Sequence, residues 1–197
     1  MNYELLTALM IFAFVSSITP GPNNLMLMSS GANFGFRRTI PHMLGVGLGF
    51  VFMVVMVGVG LMQLFDIYPP SYQILKIISV TYLLYLSFKM ATAVDPIDNS
   101  NVRSTPFSFV QAVLFQWINP KAWTMALTAI SVYAPSRSFV SVAIVAGIFG
   151  LINLPSVSVW TVMGQQLRRI LTSNLRLRAF NITMAVLLLT SLYPVFA

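Results

Sequence analysis

The sequence predicts an all-α membrane protein: six transmembrane helices as two inverted three-helix repeats, with helices 1, 4 and 5 broken by proline. Three observations carry that expectation. Hydrophobic residues make up 57% of the chain and charged residues only 8%, whereas a soluble domain carries roughly a quarter charged. The apolar residues gather into six segments, most of them long enough to cross a bilayer. Two of those segments are interrupted at corresponding places, with Pro120 falling 100 residues after Pro20 in a chain of 197. Interrupted apolar segments in matching positions of two halves point to the binding site of a secondary transporter.

Composition also excludes whole classes of function. With no cysteine, one histidine and four carboxylates, the chain has no thiolate chemistry, no disulfide and little to build a metal or hydrolytic site from. The expectation is therefore no enzyme, no cofactor and no metal. A net charge of +7 is spread too thinly for nucleic-acid binding, and basic residues beside apolar spans act as topology signals.

Span one runs from about Leu5 to Ser29, and the chain's strongest helix breaker sits in its middle. Pro20 and Pro22 donate no backbone hydrogen bond and clash with the preceding turn, so the carbonyls of Ser16 and Ile18 lose their helical partners. Gly21 is expected to let the chain bend between them. Broken backbone at membrane depth survives only against protein or a wet cavity. A half-helix restarting at Pro22 would aim the amides of Asn23 and Asn24 at such a cavity. No signal-peptide cleavage site follows this span, so it is expected to remain in the mature protein.

Span two, about Pro41 to Leu64, carries Gly45 and Gly49 four residues apart, a spacing that lets helix backbones approach closely; packing against span one is expected. His42 at its start reads first as an interfacial histidine and second as a proton carrier. A turn around Pro69-Pro70 leads to span three, about Tyr72 to Ala93. The longest polar stretch, about residues 95–106, then separates repeat one (about 1–94) from repeat two (about 107–197) within a single transmembrane domain.

Span four, about Phe107 to Tyr133, contains Gln116, Asn119, Pro120 and Lys121, the second interruption. Span five, about Phe139 to Met163, contains a third at Asn153-Leu154-Pro155. Span six, about Ala179 to Phe196, is barely long enough to cross. The loops after spans one, three and five, with their flanks, hold Arg37, Arg38, Lys89, Arg103, Arg168, Arg169, Arg176 and Arg178, eight of the eleven basic residues. Only Lys76 and Arg137 lie on the other side. That bias puts those loops in the cytoplasm and both termini outside. No Asp or Glu falls within any span, so Lys121 is the one deeply placed charge; it is the candidate partner for a substrate carboxylate and, with His42, a candidate coupling group.

Thr19-Pro20-Gly21-Pro22-Asn23-Asn24, then Gly31, Gly35-Phe36-Arg37, Gly45 and Gly49, resemble the signature of the LysE/RhtB amino-acid exporters. Asn119-Pro120-Lys121 is similar to that family's second hallmark, and the likeness covers essentially the whole chain. The opening Thr-Pro-Gly-Pro-Asn-Asn is most similar to the branch that exports cysteine and O-acetylserine. The resemblance implies proton-driven efflux of amino acids or close derivatives across the bacterial inner membrane, with Pro20, Gly21, Pro22, Asn23, Asn24, Gln116, Asn119, Pro120 and Lys121 at the substrate site. The charge inventory adds a preference: a zwitterion such as cysteine, O-acetylserine, threonine or homoserine can be met, whereas a second positive charge has no carboxylate to pair with. A passive channel or an accessory scaffold is the alternative function, and homo-oligomerisation stays open.

Overall fold

A chain this apolar must satisfy its backbone polar groups internally in lipid, which leaves helices as the means. The computed structural model describes residues 3–61, 67–68, 70–92, 105–134 and 138–193, and these form eight α-helices with no strand among them. They are α1 (Tyr3–Ile18), α2 (Pro22–Phe34), α3 (Phe36–Met56, prolonged by a π turn over Val57–Leu61), α4 (Pro70–Ala91), α5 (Phe109–Gln116), α6 (Pro120–Tyr133), α7 (Phe139–Arg168) and α8 (Asn174–Thr190). Phe36–Leu61, Gln73–Ala91 and Phe139–Arg168 are each long and apolar enough to cross a membrane, and α1 with α2 qualifies as a pair bent by 52°. The chain is a multi-pass membrane protein. Arg103, Arg137 and most of the expected linker at 95–106 lie outside the described residues.

Burial divides the helices by task. α1 buries only Leu9, Ala13 and Ser17, one residue per turn on a single stripe, and turns its other faces outward. α2 is the reverse: ten of its thirteen residues are buried. Its seat against α7 is backbone on backbone, since a Cβ at Gly31 would run into the Thr161 carbonyl and one at Gly164 into the Met28 carbonyl. With no hydrophobic drive between helices in lipid, such small-residue contacts are what bring backbones together. α3 and α7 cross at the centre of the bundle, where Phe50 and Phe149 meet edge to face with ring centroids 5.2 Å apart.

Two expectations about packing are corrected here. Gly45 and Gly49 pack α3 against α5, not against span one: a Cβ at Gly45 would lie 2.5 Å from the Phe109 carbonyl oxygen, and one at Gly49 2.9 Å from the Val113 Cα. The break expected at Asn153-Leu154-Pro155 is no break. α7 runs unbroken through Pro155 for 30 residues, since a single proline removes one donor and need not end a helix. The first break has two prolines one residue apart and so loses two bonds, and at the second Asn119, directly before Pro120, caps a new helix.

Candidate functional site

Each half-helix that restarts after a break has proline at its first position, Pro22 in α2 and Pro120 in α6, where the missing N–H has no helical partner to lose. The N-caps differ. Asn119 caps α6, its Oδ1 accepting from the Lys121 amide at 3.1 Å. Gly21 precedes α2 and no side chain caps that end, which leaves its first amides for another acceptor. Gly21 is fully extended (φ −178°, ψ 175°), so the conformational freedom expected of it is not what the site uses. Space is: a Cβ there would fall 2.6 Å from Lys121 Cδ.

The carbonyls freed at the first break are taken up by the protein itself. Thr19 Oγ1 donates to the Ser16 carbonyl at 3.1 Å, and the Trp160 indole donates to the Ile18 carbonyl at 3.0 Å. Asn24 Nδ2 donates to the carbonyls of Ser17 (2.8 Å) and Thr19 (2.7 Å). At the second break the Asn119 amide donates to the Gln116 carbonyl at 3.3 Å. Backbone groups left unpaired at membrane depth would each be costly, and none of these five is unpaired.

The second residue of each restarted half-helix reaches across to the opposite break. Asn23 of α2 pairs with Gln116 at the end of α5: Asn23 Nδ2 donates to Oε1 at 2.8 Å, and Gln116 Nε2 donates back to Oδ1 at 3.3 Å. Lys121 of α6 reaches the segment after α1. Its ammonium donates to the Thr19 carbonyl (2.7 Å), the Thr19 hydroxyl (2.9 Å) and the Pro20 carbonyl (3.2 Å). Gln116 is fully buried, whereas Thr19 and Pro20 are exposed. One strap is internal and the other lies at the mouth.

Between the straps is a cavity of about 20 Å³ lined by Gly21, Asn23, Asn24, Asn119, Lys121 and Asn153, with Ser17 and apolar groups from α3, α6 and α7. That volume holds about one water, so the site must open before anything larger enters. The structure thus gathers six of the sequence-predicted residues around one space, with Pro20 and Gln116 joined to it through the straps and Pro22 and Pro120 starting the two half-helices. It leaves Gly45, Gly49 and Pro155 outside. His42 is not interfacial as first expected: it is 1% exposed, and neither ring nitrogen has a hydrogen-bond partner. Its ring lies tilted by 38° against Phe107, with centroids 5.3 Å apart. It lies one turn from Val46 and two from Phe50 on α3, and both of these line the cavity.

Ser17, Thr19 and Trp160 were not singled out as site residues by sequence reasoning. Thr19 sat within the quoted motif, and its role as acceptor for Lys121 was not legible there. Trp160 meets the Ile18 carbonyl across 142 residues of chain, a contact no local pattern announces. Among the described residues, no cluster of three or more His, Asp or Glu side chains could hold a metal ion.

Two proline-started helices, each strapped to the opposite helix interruption around one small polar cavity, make up the candidate site. The chain belongs to the LysE type translocator family, which it matches over residues 14–191. It is similar to the cysteine/O-acetylserine efflux protein of Escherichia coli O139:H28 (strain E24377A / ETEC), 27% identical over 96% of each chain. The protein of the same name in Escherichia coli K12 is 27% identical over 95% of each. That in Salmonella choleraesuis (strain SC-B67) is 30% identical over 68% of this chain and 67% of its own. No solved structure matches the chain.

Proposed function

We propose that this protein is a secondary exporter of small neutral amino acids or derivatives, with cysteine and O-acetylserine foremost and threonine and homoserine in the same class. It acts across the bacterial inner membrane and couples efflux to the proton gradient. The observation that carries this reading is the pair of reciprocal straps around one cavity, which an ammonium, four asparagines and the uncapped start of α2 all line. A carboxylate entering there would meet the amides of Asn23 and Asn24 and could draw Lys121 from Thr19, trading neutral acceptors for a charged one.

Six spans in two inverted repeats, residues about 1–94 and 107–197, fit the way helices pair. α1 packs on α7 as α5 packs on α3, while α3 with α7 and α4 with α8 each pair across the centre. Exchange of the two repeats maps these pairings onto one another, while α2 on α7 has only a slight counterpart in α6 on α3. The loop charges then put both termini in the periplasm. Lys121 and His42 are the coupling groups in this reading, His42 as the one histidine of the chain, one turn along α3 from the cavity-lining Val46.

Counterflow in proteoliposomes tests the carrier reading: saturable exchange of cysteine is expected, and flux linear in concentration would replace it with a pore. Topology is tested with single cysteines at Asn99 and Ser136 in this cysteine-free chain. Asn99 should be labelled only from the cytoplasm and Ser136 only from the periplasm; labelling of both from one side would end the inverted-repeat arrangement.

A further inference from the structure

We propose that the side-chain oxygen of Asn153 receives the ammonium group of the exported amino acid and so sets the carrier's preference for zwitterions; this rests on the export reading above. Asn153 projects from the middle of α7 into the cavity shared with Gly21, Asn24 and Lys121, and it is 6% exposed. Its Nδ2 is held by donation to Ser17 Oγ at 3.2 Å, which fixes the amide and turns Oδ1 away from Ser17. That oxygen is buried and has no donor. Native structures rarely keep a buried acceptor unpaired without a functional reason.

The protein's own cation cannot supply the missing donor, because Lys121 already gives all three protons to Thr19 and Pro20. Donors for a carboxylate sit together on the other wall, at the uncapped start of α2 and at Lys121. A bound amino acid with its carboxylate there turns its ammonium toward α7, where Asn153 Oδ1 and Ser17 Oγ are the side-chain acceptors. Both are neutral. One ammonium is accommodated, whereas a lysine or arginine side chain would bring a second charge; among the described residues the only carboxylate is Glu4, at the outer start of α1. The same position, given a negative charge, should reverse the exclusion.

The test uses the full-length protein in proteoliposomes, exchanging labelled cysteine under reducing conditions. Competition by 3-mercaptopropionate, which lacks the amine, is compared with competition by cysteamine, which lacks the carboxylate. In Asn153→Leu, the advantage of cysteine over 3-mercaptopropionate should shrink by about tenfold or more, the worth of one hydrogen bond to a charged group. Its advantage over cysteamine should persist. Asn153→Asp, which keeps the acceptor and adds a charge, should raise lysine exchange relative to cysteine by about tenfold or more. A purely structural asparagine would lower all substrates together and leave both ratios unmoved. Unchanged amine preference in Asn153→Leu, or an Asp variant that exchanges cysteine without gaining lysine, overturns the assignment and leaves the export reading standing. Absence of saturable counterflow by the unaltered protein overturns both.

Discussion

At the first break the chain restarts as α2, a half-helix sunk in the bundle; at the second it restarts as α6, which leaves Thr124, Ser131 and Val132 exposed. α2 lies against α7 with backbone touching backbone at Gly31 and Gly164. α6 rests on the core through side chains, chiefly Ala122, Met125, Ala126, Ala129 and Ile130. The straps follow the same division. Asn23 and Gln116 form a neutral amide pair in which Gln116 is fully buried and Asn23 partly so, whereas Lys121 holds Thr19 and Pro20 at an exposed mouth. Two sequences with the same grammar, a proline at the restart and a polar residue next to it, have therefore been given different mechanical roles. α2 is the anvil, fixed by packing that tolerates no change; α6 carries the latch, a flexible charged side chain that a substrate carboxylate can draw off. A site that opens from 20 Å³ needs one of each.

The harshest way to break that contrast is at the α2–α7 seam. Gly164→Val and Gly31→Val each place a branched side chain where a backbone carbonyl of the neighbouring helix now lies. Neither backbone can yield without unseating α2, so the cost exceeds the usual 1–3 kcal/mol or so of overpacking. The expected result is loss of folded protein, read as membrane-inserted yield and as thermal midpoint in detergent. Normal yield from either variant would show that α2 is not fixed.

The latch is the next largest effect, and it should appear in transport before stability. Lys121→Met removes three hydrogen bonds at an exposed mouth, so folding should fall by only about 1 kcal/mol or so, while counterflow is lost. Asn23→Leu does the opposite: it leaves the buried Gln116 amide without its cross-chain partner, costing about 1–3 kcal/mol, and lowers transport less than Lys121→Met does. If the order reverses, with Lys121→Met the more damaging to the fold and Asn23→Leu to transport, the assignment of anvil and latch is the wrong way round.

Much of this was legible in the sequence, and the physics says which part. Proline and glycine act locally, so the two breaks and the restarts at Pro22 and Pro120 follow from residues within one helical turn. The absence of carboxylates from the spans is likewise a matter of reading. What neighbours a residue across the bundle is not local. Gly45 and Gly49 announced a close helix contact and gave no hint that α5 would make it. Gly31 stands four residues before Gly35, yet nothing local says that its partner is Gly164 on α7. His42 looked interfacial because it stands early in its span, but Phe107 from the second half covers it. Pro155 looked like Pro20 because one proline resembles another; it has neither a second proline beside it nor, as Pro120 has, a capping asparagine directly before it.

A finer comparison concerns the caps. Asn119→Ala removes the side-chain acceptor for the Lys121 amide and should cost about 1 kcal/mol, the usual worth of an N-cap. Because Lys121 starts from that turn, its strap should loosen as well, with transport reduced but measurable. The uncapped α2 has no equivalent to lose. A thermal midpoint unchanged by Asn119→Ala would mean that α6 is held as tightly as α2.

The smallest effect is expected at Pro155, and it sharpens what counts as a break. The proline lies inside a continuous helix and faces outward, so its ring makes no buried contact that a smaller residue would lose. What it withholds is one N–H from the carbonyl of Leu151, itself 77% exposed. Pro155→Ala restores that donor and relieves the clash of the ring with the preceding turn. The gain should be small, of the order of 1 kcal/mol, since one hydrogen bond is worth about that net. Hydroxyls already bond back along the neighbouring turns, Ser156 to Ile152 and Ser158 to Leu154. Transport should stay within about twofold of the unaltered protein while the detergent midpoint rises slightly. Pro20→Ala with Pro22→Ala, by contrast, should abolish transport, because straightening the first break removes the amides that α2 turns to the cavity. Loss of transport in Pro155→Ala at normal expression would put α7 among the broken helices in function, if not in form.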